Sequence, residues 1–501
     1  MTLTELIRDL DDVDVHGDGD IAITGITHDS RQVGPGSLFV ALPGARFDGR
    51  RFIPNAIGAG AAAVAVPADS AVVHDLPTLL LKRPRRNLAE LSARFNGHPS
   101  RSIRMVGLTG TNGKTTVASI LSEMMAAEGL KPGMIGTLGE QTGQRWREGI
   151  FTTPEAPDLH AMLARMVEAG VVIVAMEVSS VGLAEERVHG IDFNVAAFLN
   201  LTPDHLDYHG TMADYGAAKK KLFTSHLADD ARVIINIDDP FGAQLAVDLA
   251  ERRPNLSILT VAIDSQEAHY AYDELVCSVE GIQGLLRCPD GHTLPIQSHL
   301  LGRYNAANLA VASAIGHQLN FDASAIVSGA LSTRVRGRLE RVEGCGDIDV
   351  FVDYAHTADA LRRTIQTLKV FTNGRLWCVF GCGGDRDVEK RAPMGRASAQ
   401  ADVVIITSDN PRTEAPMAIA KVILDGCLEG GLIESTAPQA GHVCVRIERE
   451  DAIATALSNA SAGDIVLIAG KGHETYQEVD GHRRPFDDAA IARRCWAELA
   501  S

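Results

Sequence analysis

The chain has 501 residues and a formal net charge of −17 at pH 7, and this length is typical of about three domains. The acidic balance argues against bulk attraction to nucleic acid or to a membrane surface, so a bound polyphosphate would need local Lys, Arg or Mg²⁺. No apolar run approaches the length of a membrane span, and no signal peptide is evident at the start. The eight cysteines form no CxxC pair, which predicts reduced thiols in a cytoplasmic protein without membrane insertion.

The first predicted domain covers residues 1–98. The stretch from Ile23 to Phe52 alternates short apolar runs with Gly and Pro turns, which predicts small strands and loops. Polar loop positions at 29–31 and 44–49 could hold an anionic ligand, although ordinary turn chemistry also explains them.

The second predicted domain, residues 99–333, contains the most informative motif. An apolar run at 103–108 predicts a buried strand, and apolar residues on one helical face follow residue 116. Backbone N–H groups of a glycine loop between strand and helix bind phosphate oxygens, a lysine reaches the terminal phosphates, and a threonine can ligate Mg²⁺. Leu108 occupies the position of the usual first glycine, so the loop is a variant. The loop consists of Gly110, Thr111, Asn112, Gly113, Lys114, Thr115 and Thr116.

Polar residues follow the next two predicted strands. Glu177 ends the apolar run 171–178, and a carboxylate at this end of a parallel strand beside a phosphate loop is well placed to bind Mg²⁺. A merely solvated glutamate is the weaker alternative. His205 and Asp207 follow the run 193–199, which predicts His205 as a second metal ligand.

The rest of the second domain is less specific. Spacing alone does not choose among the three lysines at 219–221, and such a run is usually a solvated helix face. Residues 255–300 alternate apolar and polar residues, which predicts a small antiparallel subregion. Asn305 and Asn308 open an apolar helix, where they either cap it or contact a purine; capping is the simpler explanation.

The third predicted domain covers residues 334–501 and has a doubly wound α/β pattern. GCGGDR at 381–386 departs from GxGxxG, which argues against a nicotinamide cofactor. Ligands of open α/β sheets bind at the carboxyl ends of strands, so the polar segments there are candidate sites. The predicted strands are 348–353, 376–380, 402–407, 443–446 and 464–468, and the polar segments are 353–357, 381–387, 408–416 and 469–474.

Eleven motifs occur in an order and spacing that extend over nearly the whole chain. They are GTNGKTT (110–116), TTPE (152–155), EVSS (177–180), NLTPDHLDYHG (200–210), YGAAKKKLF (215–223), GRYNAAN (302–308), VRGRLE (335–340), DYAHTAD (353–359), GGDRD (383–387), DNPR (409–412) and GKGHE (470–474). Together they resemble the Mur ligase family of cytoplasmic peptidoglycan enzymes.

The resemblance implies an α/β protein of three domains: an N-terminal domain for a UDP-sugar, a central P-loop ATPase domain and a C-terminal Rossmann-like domain for an amino acid. It implies amide formation driven by ATP and Mg²⁺ through an acyl phosphate. The implied partners are small molecules, namely ATP, UDP-N-acetylmuramoyl-dipeptide and an amino acid, and the enzyme is expected to be a monomer. Tyr215-x-x-x-Lys219 matches the family pattern in which CO₂ carbamylates the lysine.

The resemblance also implies roles for individual residues. The catalytic residues would be Lys114, His205 and Lys219, with Thr115, Glu177, His205 and Lys219 at the metal ions. Asn308, Arg338, Asp353 and His356 would bind the nucleotide together with loop 110–116; Ser30 and Arg46 the uridine diphosphate; Thr152, Thr153, Ser179 and Arg187 the muramoyl-dipeptide; and Arg386, Asp409, Asn410, Pro411, Arg412, Gly470 and Glu474 the amino acid.

DNPR resembles the diaminopimelate-adding branch of the family, whereas the alternative lysine-adding branch lacks the arginine. Diaminopimelate is lysine with a second carboxylate, and Arg412 would bind that carboxylate through two parallel hydrogen bonds. Folylpolyglutamate synthetases and a P-loop transport ATPase are weaker alternatives. Three departures from the family pattern are Val181, Glu185 and Ala392; the second puts one sugar contact in question.

Overall fold

A computed structural model describes residues 1–44, 48–73, 76–149 and 151–499. The chain forms two compact units. The first consists of Met1–Asp273, Leu286–Leu294 and Ala307–Ala330, and the second of Glu274–Leu285, Pro295–Ala306 and Leu331–Ser501. The α/β fold predicted from the sequence is confirmed.

A five-stranded sheet comes first in the chain, in the order β1-β5-β4-β3-β2. Alternation of side chains directs Leu38 and Val40 to one face and Phe39 to the other, where each joins a separate apolar cluster. The strands are β1 (Val13–His16), β2 (Gly25–Thr27), β3 (Ser37–Val40), β4 (Ala63–Pro67) and β5 (Thr78–Leu81).

An eleven-stranded sheet follows, in the order β16-β15-β14-β13-β12-β11-β6-β10-β7-β8-β9. The strand before the glycine loop, β6, lies between β10 and β11 and is parallel to both, so the carboxyl ends of all three strands meet at one edge. The strands are β6 (Arg104–Thr109), β7 (Gly133–Gly136), β8 (Gly139–Thr142), β9 (Arg145–Arg147), β10 (Ile173–Glu177), β11 (Phe193–Phe198), β12 (Leu227–Asn236), β13 (Ser257–Ala262), β14 (Tyr270–Ser278), β15 (Gly281–Arg287) and β16 (Thr293–Ser298).

A seven-stranded sheet in the second unit has the order β17-β18-β23-β19-β20-β22-β21, and a hairpin adds β24 and β25. Apolar side chains alternate between two clusters, one on each face: Cys378 and Phe380 join one, Trp377 and Val379 the other. This two-faced burial confirms the doubly wound pattern. The strands are β17 (Glu340–Arg341), β18 (Asp349–Asp353), β19 (Leu376–Phe380), β20 (Val403–Ile406), β21 (Ile433–Glu434), β22 (His442–Val445), β23 (Ile465–Ala469), β24 (Tyr476–Val479) and β25 (His482–Pro485).

Helices connect most of the parallel strands. The helix after the glycine loop begins at Lys114 and ends before Gly129, whose φ of +78° is left-handed, as a helix terminator requires. The helices are α1 (Leu3–Ile7), α2 (Ile53–Gly58), α3 (Pro84–Phe95), α4 (Lys114–Ala127), α5 (Ala156–Glu168), α6 (Ser180–Ala184), α7 (Leu206–His209), α8 (Met212–Ser225), α9 (Pro240–Arg252), α10 (Arg303–Gln318), α11 (Ala323–Ser332), α12 (Ala358–Phe371), α13 (Arg391–Ser398), α14 (Pro416–Glu429), α15 (Arg449–Asn459) and α16 (Asp488–Leu499).

One local prediction is wrong in part. β13, in the region predicted as a small antiparallel subregion, pairs parallel with β12 and extends the main sheet. The error arises because local pattern does not show which neighbour a segment will meet. Asn305 lies in the first turn of α10, and its side-chain amide donates to the Leu301 carbonyl at 2.9 Å. None of the helices in the part of the chain that is described combines the length and apolarity that crossing a membrane requires.

A buried ion pair joins α15 to α16. Nε and Nη2 of Arg449 each lie 2.7 Å from a carboxylate oxygen of Asp488, and both side chains are fully buried. Asp488→Ala leaves the guanidinium charge buried and unpaired, so we expect the free energy of unfolding to fall by about 3–5 kcal/mol. Denaturant unfolding followed by circular dichroism measures this change.

The matched control lies on the same two helices. Arg494 and Glu450 form a pair at 2.6 Å, but about half of each side chain is exposed. Glu450→Ala should therefore cost less than about 1 kcal/mol. Equal losses in the two variants would contradict the explanation by burial.

Candidate active site

The glycine loop lies in the first unit, between the end of β6 and the start of α4. Gly113 has a φ of +91°, and a Cβ there would overlap the side-chain amide of Asn308. Nζ of Lys114 donates to the carbonyls of Gly110 at 2.8 Å and Thr111 at 3.0 Å. Thr115 and the next residue are buried in the first helical turn. The strand, loop and helix predicted as a phosphate-binding element are therefore present.

The variant form of the loop has a structural reason. Leu108 is fully buried within β6, where it pairs with Glu177 of β10. The position that holds a glycine in the usual pattern is therefore part of the strand, and the turn begins only at Gly110.

Lys219 on α8 points into the same site. It is only 1% exposed, and its Nζ donates to the Gly110 carbonyl at 2.8 Å and lies 4.4 Å from the centre of the Tyr215 ring. Burial, reinforced by the positive charge of Lys114, holds the pKa of Lys219 well below its ordinary value. Asp204 opposes this effect only weakly.

The two neighbouring lysines face elsewhere. Lys220 forms an ion pair with Asp248, and Nζ of Lys221 lies 3.7 Å from a carboxylate oxygen of Glu186. The tertiary structure thus separates one buried lysine from two that form ion pairs nearer the surface, which spacing alone could not do.

Glu177 ends β10 at the edge of the sheet where the glycine loop lies. Its side chain is buried, and its carboxylate accepts hydrogen bonds from the backbone N–H of Thr137 at 2.9 Å and from that residue's hydroxyl at 3.1 Å. The Thr137 hydroxyl is also 3.0 Å from that of Thr152. Sequence analysis did not identify Thr137, since a lone threonine after a short strand carries no motif.

His205 precedes α7 in a left-handed conformation, with a φ of +53°. About half of its side chain is exposed, and Nε2 lies 3.6 Å from Asp204. His209, on the same short helix, lies 2.9 Å from the hydroxyl of Ser180. The sequence predicted a metal-binding role for His205. In the structure it is His209 that contacts Ser180, a residue next to the predicted dipeptide contact Ser179.

The residues predicted to contact the dipeptide lie together beyond β10. The Thr153 hydroxyl donates to the Glu177 carbonyl and accepts from the backbone N–H of Ser179, both at 2.9 Å. Arg187 donates to the Thr153 carbonyl at 3.0 Å and pairs with Glu155 at 2.7 Å. Hydrogen bonding therefore connects these positions, although they are distant in sequence.

Other predicted contacts of the first unit are less defined. Ser30 is half-buried at the start of a short 3₁₀ turn capped by Asp29. Arg46 lies outside the described residues. Glu185, one of the departures from the family pattern, accepts a hydrogen bond from Tyr208 and pairs with Arg85.

In the second unit, Asp353 ends β18 and is buried. Its carboxylate accepts from the backbone N–H groups of Leu339 at 2.7 Å and Ala355 at 2.8 Å, while burial raises the pKa of this carboxyl. The Arg338 guanidinium lies 4.8 Å from the centre of the Tyr354 ring. His356 Nδ1 is 2.9 Å from the Tyr354 carbonyl. The three predicted nucleotide residues of this unit therefore surround the end of one strand.

A second polar group of this unit centres on Lys471, which is fully buried. Its Nζ donates to Asn410 at 3.2 Å and to Glu474 at 3.0 Å, and lies 3.8 Å from Asp409. The Asn410 amide also donates to Glu474 at 2.7 Å. Gly470 is needed here: its φ is +110°, and a Cβ would lie 3.0 Å from the Asp409 carboxylate. Sequence analysis missed Lys471 itself.

Arg412 adopts a left-handed conformation, with a φ of +53°. Its Nη1 donates to the Gly384 carbonyl at 2.7 Å, and its Nε lies 3.9 Å from Glu478. Pro411, before it, is buried, whereas Arg386 is exposed. The guanidinium is therefore held against the 381–387 loop.

Comparisons with known proteins agree with this architecture. Three family descriptions match consecutive parts of the chain: "Mur ligase family, catalytic domain" at residues 22–96, "Mur ligase middle domain" at 108–316 and "Mur ligase, glutamate ligase domain" at 337–472. A UDP-N-acetylmuramoyl-L-alanyl-D-glutamate–2,6-diaminopimelate ligase of Geobacter sulfurreducens is 40% identical, with 97% of each chain covered.

The chain belongs to the Mur ligase family. A relative of the same name from Gloeobacter violaceus is 41% identical over 96% of this chain and 95% of its own. A solved structure of a ligase with that name has a TM-score of 0.71 and 31% identity, and the match covers 100% of this chain and 99% of that one.

Within this Mur ligase, sequence analysis assigned no role to residues of two kinds. Thr137 and Glu155 support predicted site residues, the first by hydrogen bonds to Glu177 and the second by its ion pair with Arg187. Lys471 lies inside the recognised motif GKGHE, but no role was assigned to it. The one feature that marks this lysine is its burial among three polar partners, which only the structure shows.

Proposed function

We propose that the protein is an ATP-dependent amide ligase that adds meso-2,6-diaminopimelate to the D-glutamate of UDP-N-acetylmuramoyl-L-Ala-D-Glu in peptidoglycan precursor synthesis. Sequence identity of 40% to ligases of that name, over 95% or more of this chain, supports this proposal. The observation that carries the choice of amino acid is Arg412, held against the Gly384 carbonyl in the motif DNPR.

The chemistry needs two steps because a free carboxylate is a poor electrophile. An oxygen of the D-glutamate side-chain carboxylate attacks the γ-phosphorus of ATP, and ADP leaves. The diaminopimelate amine then attacks the acyl carbon, loses a proton and displaces inorganic phosphate. Phosphoryl transfer depends mainly on positioning and charge neutralisation. Lys114 supplies a cation at the β- and γ-phosphates, where phosphate oxygens replace its contacts with the loop carbonyls.

The donor set fits Mg²⁺. The Glu177 carboxylate is buried at the edge of the sheet beside the glycine loop, and the Thr115 hydroxyl lies in the first turn of the helix that follows this loop. Oxygen ligands of this kind are those that Mg²⁺ prefers. We assign Glu177 and Thr115 to one ion and His205 to a second; bound Mg²⁺ would neutralise charge on the transferring phosphoryl group.

Lys219 fits carbamylation. Only the neutral amine attacks CO₂, and the lowered pKa of this lysine favours the neutral form. Lys219 Nζ would bond to the carbon of CO₂ and lose a proton, so that a neutral buried amine becomes a carbamate anion, whose oxygens would serve the second metal ion. Lys220 and Lys221 are engaged in ion pairs and do not offer this environment.

The other substrate contacts are assigned by position in each unit. Asn308, against Gly113, and the group Arg338, Asp353 and His356 are proposed for the nucleotide. For the UDP-muramoyl-dipeptide we propose Ser30, Arg46, Thr152, Thr153, Ser179 and Arg187, and for the amino acid Arg386, Asp409, Asn410, Pro411, Arg412, Gly470 and Glu474.

Phosphate release tests the proposal. Purified protein with ATP, Mg²⁺ and UDP-N-acetylmuramoyl-L-Ala-D-Glu should release phosphate when meso-diaminopimelate is added, and not when L-lysine replaces it. Release with lysine alone would keep the ligase and reject the role of Arg412. Release independent of any amino acid would indicate a transport or regulatory ATPase instead.

We place this reaction in the cytoplasm, where ATP is available. All eight cysteines are unpaired, as expected in a reducing compartment. Domain boundaries at 98/99 and 333/334 and a monomeric state remain predictions that size-exclusion chromatography and limited proteolysis can test.

A further inference from the structure

A second cluster of metal-ligating side chains lies in the first unit, outside the proposed active site. The turn between β15 and β16 carries Cys288, Asp290 and His292, and His317 lies in the last turn of α10. One ligand atom from each of Cys288, Asp290 and His317 lies within 4.8 Å of the other two. Residues distant in sequence therefore converge at this point.

Hydrogen bonds fix the turn that presents two of these ligands. The Cys288 backbone N–H donates to the His292 carbonyl at 2.8 Å, and the Gly291 N–H donates to the Cys288 carbonyl at 3.1 Å. Gly291 has a φ of +85°, as this tight turn requires. The thiol of Cys288 and the carboxylate of Asp290 are thus held at a fixed spacing.

The third ligand is oriented by a separate pair of residues. His317 Nδ1 lies 2.8 Å from the hydroxyl of buried Tyr270, and the Gln318 side-chain amide donates to the same hydroxyl at 2.8 Å. The other ring nitrogen, Nε2, lies 3.2 Å from a carboxylate oxygen of Asp290. Metal-binding histidines are commonly held this way, with one nitrogen bonded to a supporting group and the other directed at the ligand set.

The cluster has a closed side and an open side. Cys288 is buried, whereas the Asp290 side chain is 43% exposed. His292 Nδ1 lies 3.1 Å from the same Asp290 oxygen that contacts His317, and the His292 side chain is 84% exposed. An ion can therefore reach the cluster from solvent, and one of its coordination positions would face the solvent.

We propose that Cys288, Asp290 and His317 bind a zinc ion. Ligand atoms at zinc-bond lengths stand roughly 3.3–3.8 Å apart in a tetrahedron, close to the separation between Asp290 and His317. Sulfur and imidazole select zinc over Mg²⁺, which prefers oxygen. The ion would connect the 288–292 turn to the end of α10 and leave its fourth position beside His292. Without an ion, the same residues make an Asp–His hydrogen bond beside a buried thiol.

Cobalt titration distinguishes these two states, because Co²⁺ occupies zinc sites and a cobalt–thiolate bond absorbs in the near ultraviolet. The full-length protein, first treated with chelator, is titrated with Co²⁺ in excess Mg²⁺. We expect the thiolate band to saturate at one Co²⁺ per chain and to disappear on addition of Zn²⁺. Absence of the band in the wild-type protein would overturn the proposal.

Variants assign the ligands. Cys288→Ser should abolish the thiolate band. Asp290→Asn removes the carboxylate charge but keeps an amide oxygen that can accept the hydrogen bond from the His292 backbone N–H, and it should weaken Co²⁺ binding at least 10-fold. Cys277→Ser removes a thiol of β14 that is not in the cluster and should leave the band unchanged. A band that persists in Cys288→Ser, or affinity unchanged in Asp290→Asn, would also refute the site.

Discussion

Lys219→Ala is expected to lower kcat for phosphate release by at least about 100-fold, with diaminopimelate as acceptor. The lysine is buried against the Gly110 carbonyl, and its proposed carbamate would add a carboxylate that supports a metal ion. Alanine removes that carboxylate and leaves space beside Tyr215. Acetate or another short carboxylate, supplied at high concentration, should restore part of the activity.

Lys220→Ala is the matched control, because the two lysines are adjacent on α8. Lys220 forms an ion pair with Asp248, partly exposed on both sides, so its loss should leave kcat nearly unchanged. Full activity of Lys219→Ala, or an equal loss in both variants, would refute the assignment.

Acidification should act on the same residue. The pKa of Lys219 lies below its ordinary value, so the amine is neutral above that lowered pKa and becomes protonated as the pH falls through it. A protonated amine cannot hold CO₂. Activity that is lost at low pH should therefore return with added bicarbonate in the wild-type protein and not in Lys219→Ala.

Arg412→Ala is expected to reduce kcat/KM for diaminopimelate by about 100-fold or more, equivalent to about 3 kcal/mol for two hydrogen bonds to a charged carboxylate. The wild-type enzyme should prefer diaminopimelate to lysine by roughly 10⁴-fold, since lysine lacks the distal carboxylate that the guanidinium would bind. In the variant this preference should decrease sharply. Initial rates with each amino acid measure both quantities.

Arg483→Ala tests whether the effect is specific. Arg483 and Arg412 lie 3.7 Å and 3.9 Å from the same Glu478 oxygen, but Arg483 is 64% exposed. A general change of charge around Glu478 would affect the two variants alike. An unchanged preference in Arg412→Ala would show that another group recognises the distal carboxylate.

The sheet strands that carry polar residues at their carboxyl ends could be predicted without the structure. Long apolar runs such as 193–199 and 376–380 are buried on both faces, so their pattern needs no knowledge of the neighbours. The glycine loop could also be recognised from local sequence, because the glycines, lysine and threonine that bind phosphate must lie close together in the chain. The ordered motifs also determined the family.

Long-range packing determines the environment of residues that local pattern leaves equivalent. Only the family motif singled out Lys219 from Lys220 and Lys221, and its burial against Gly110 supplies the physical difference between them. Lys471 and Thr137 depend on contacts between segments distant in the chain. The cluster of Cys288 and His317 has no sequence signature, because the fold of one hairpin turn against a helix end brings its ligands together. Local sequence specifies chemistry and secondary structure, whereas long-range packing sets the environment in which that chemistry acts.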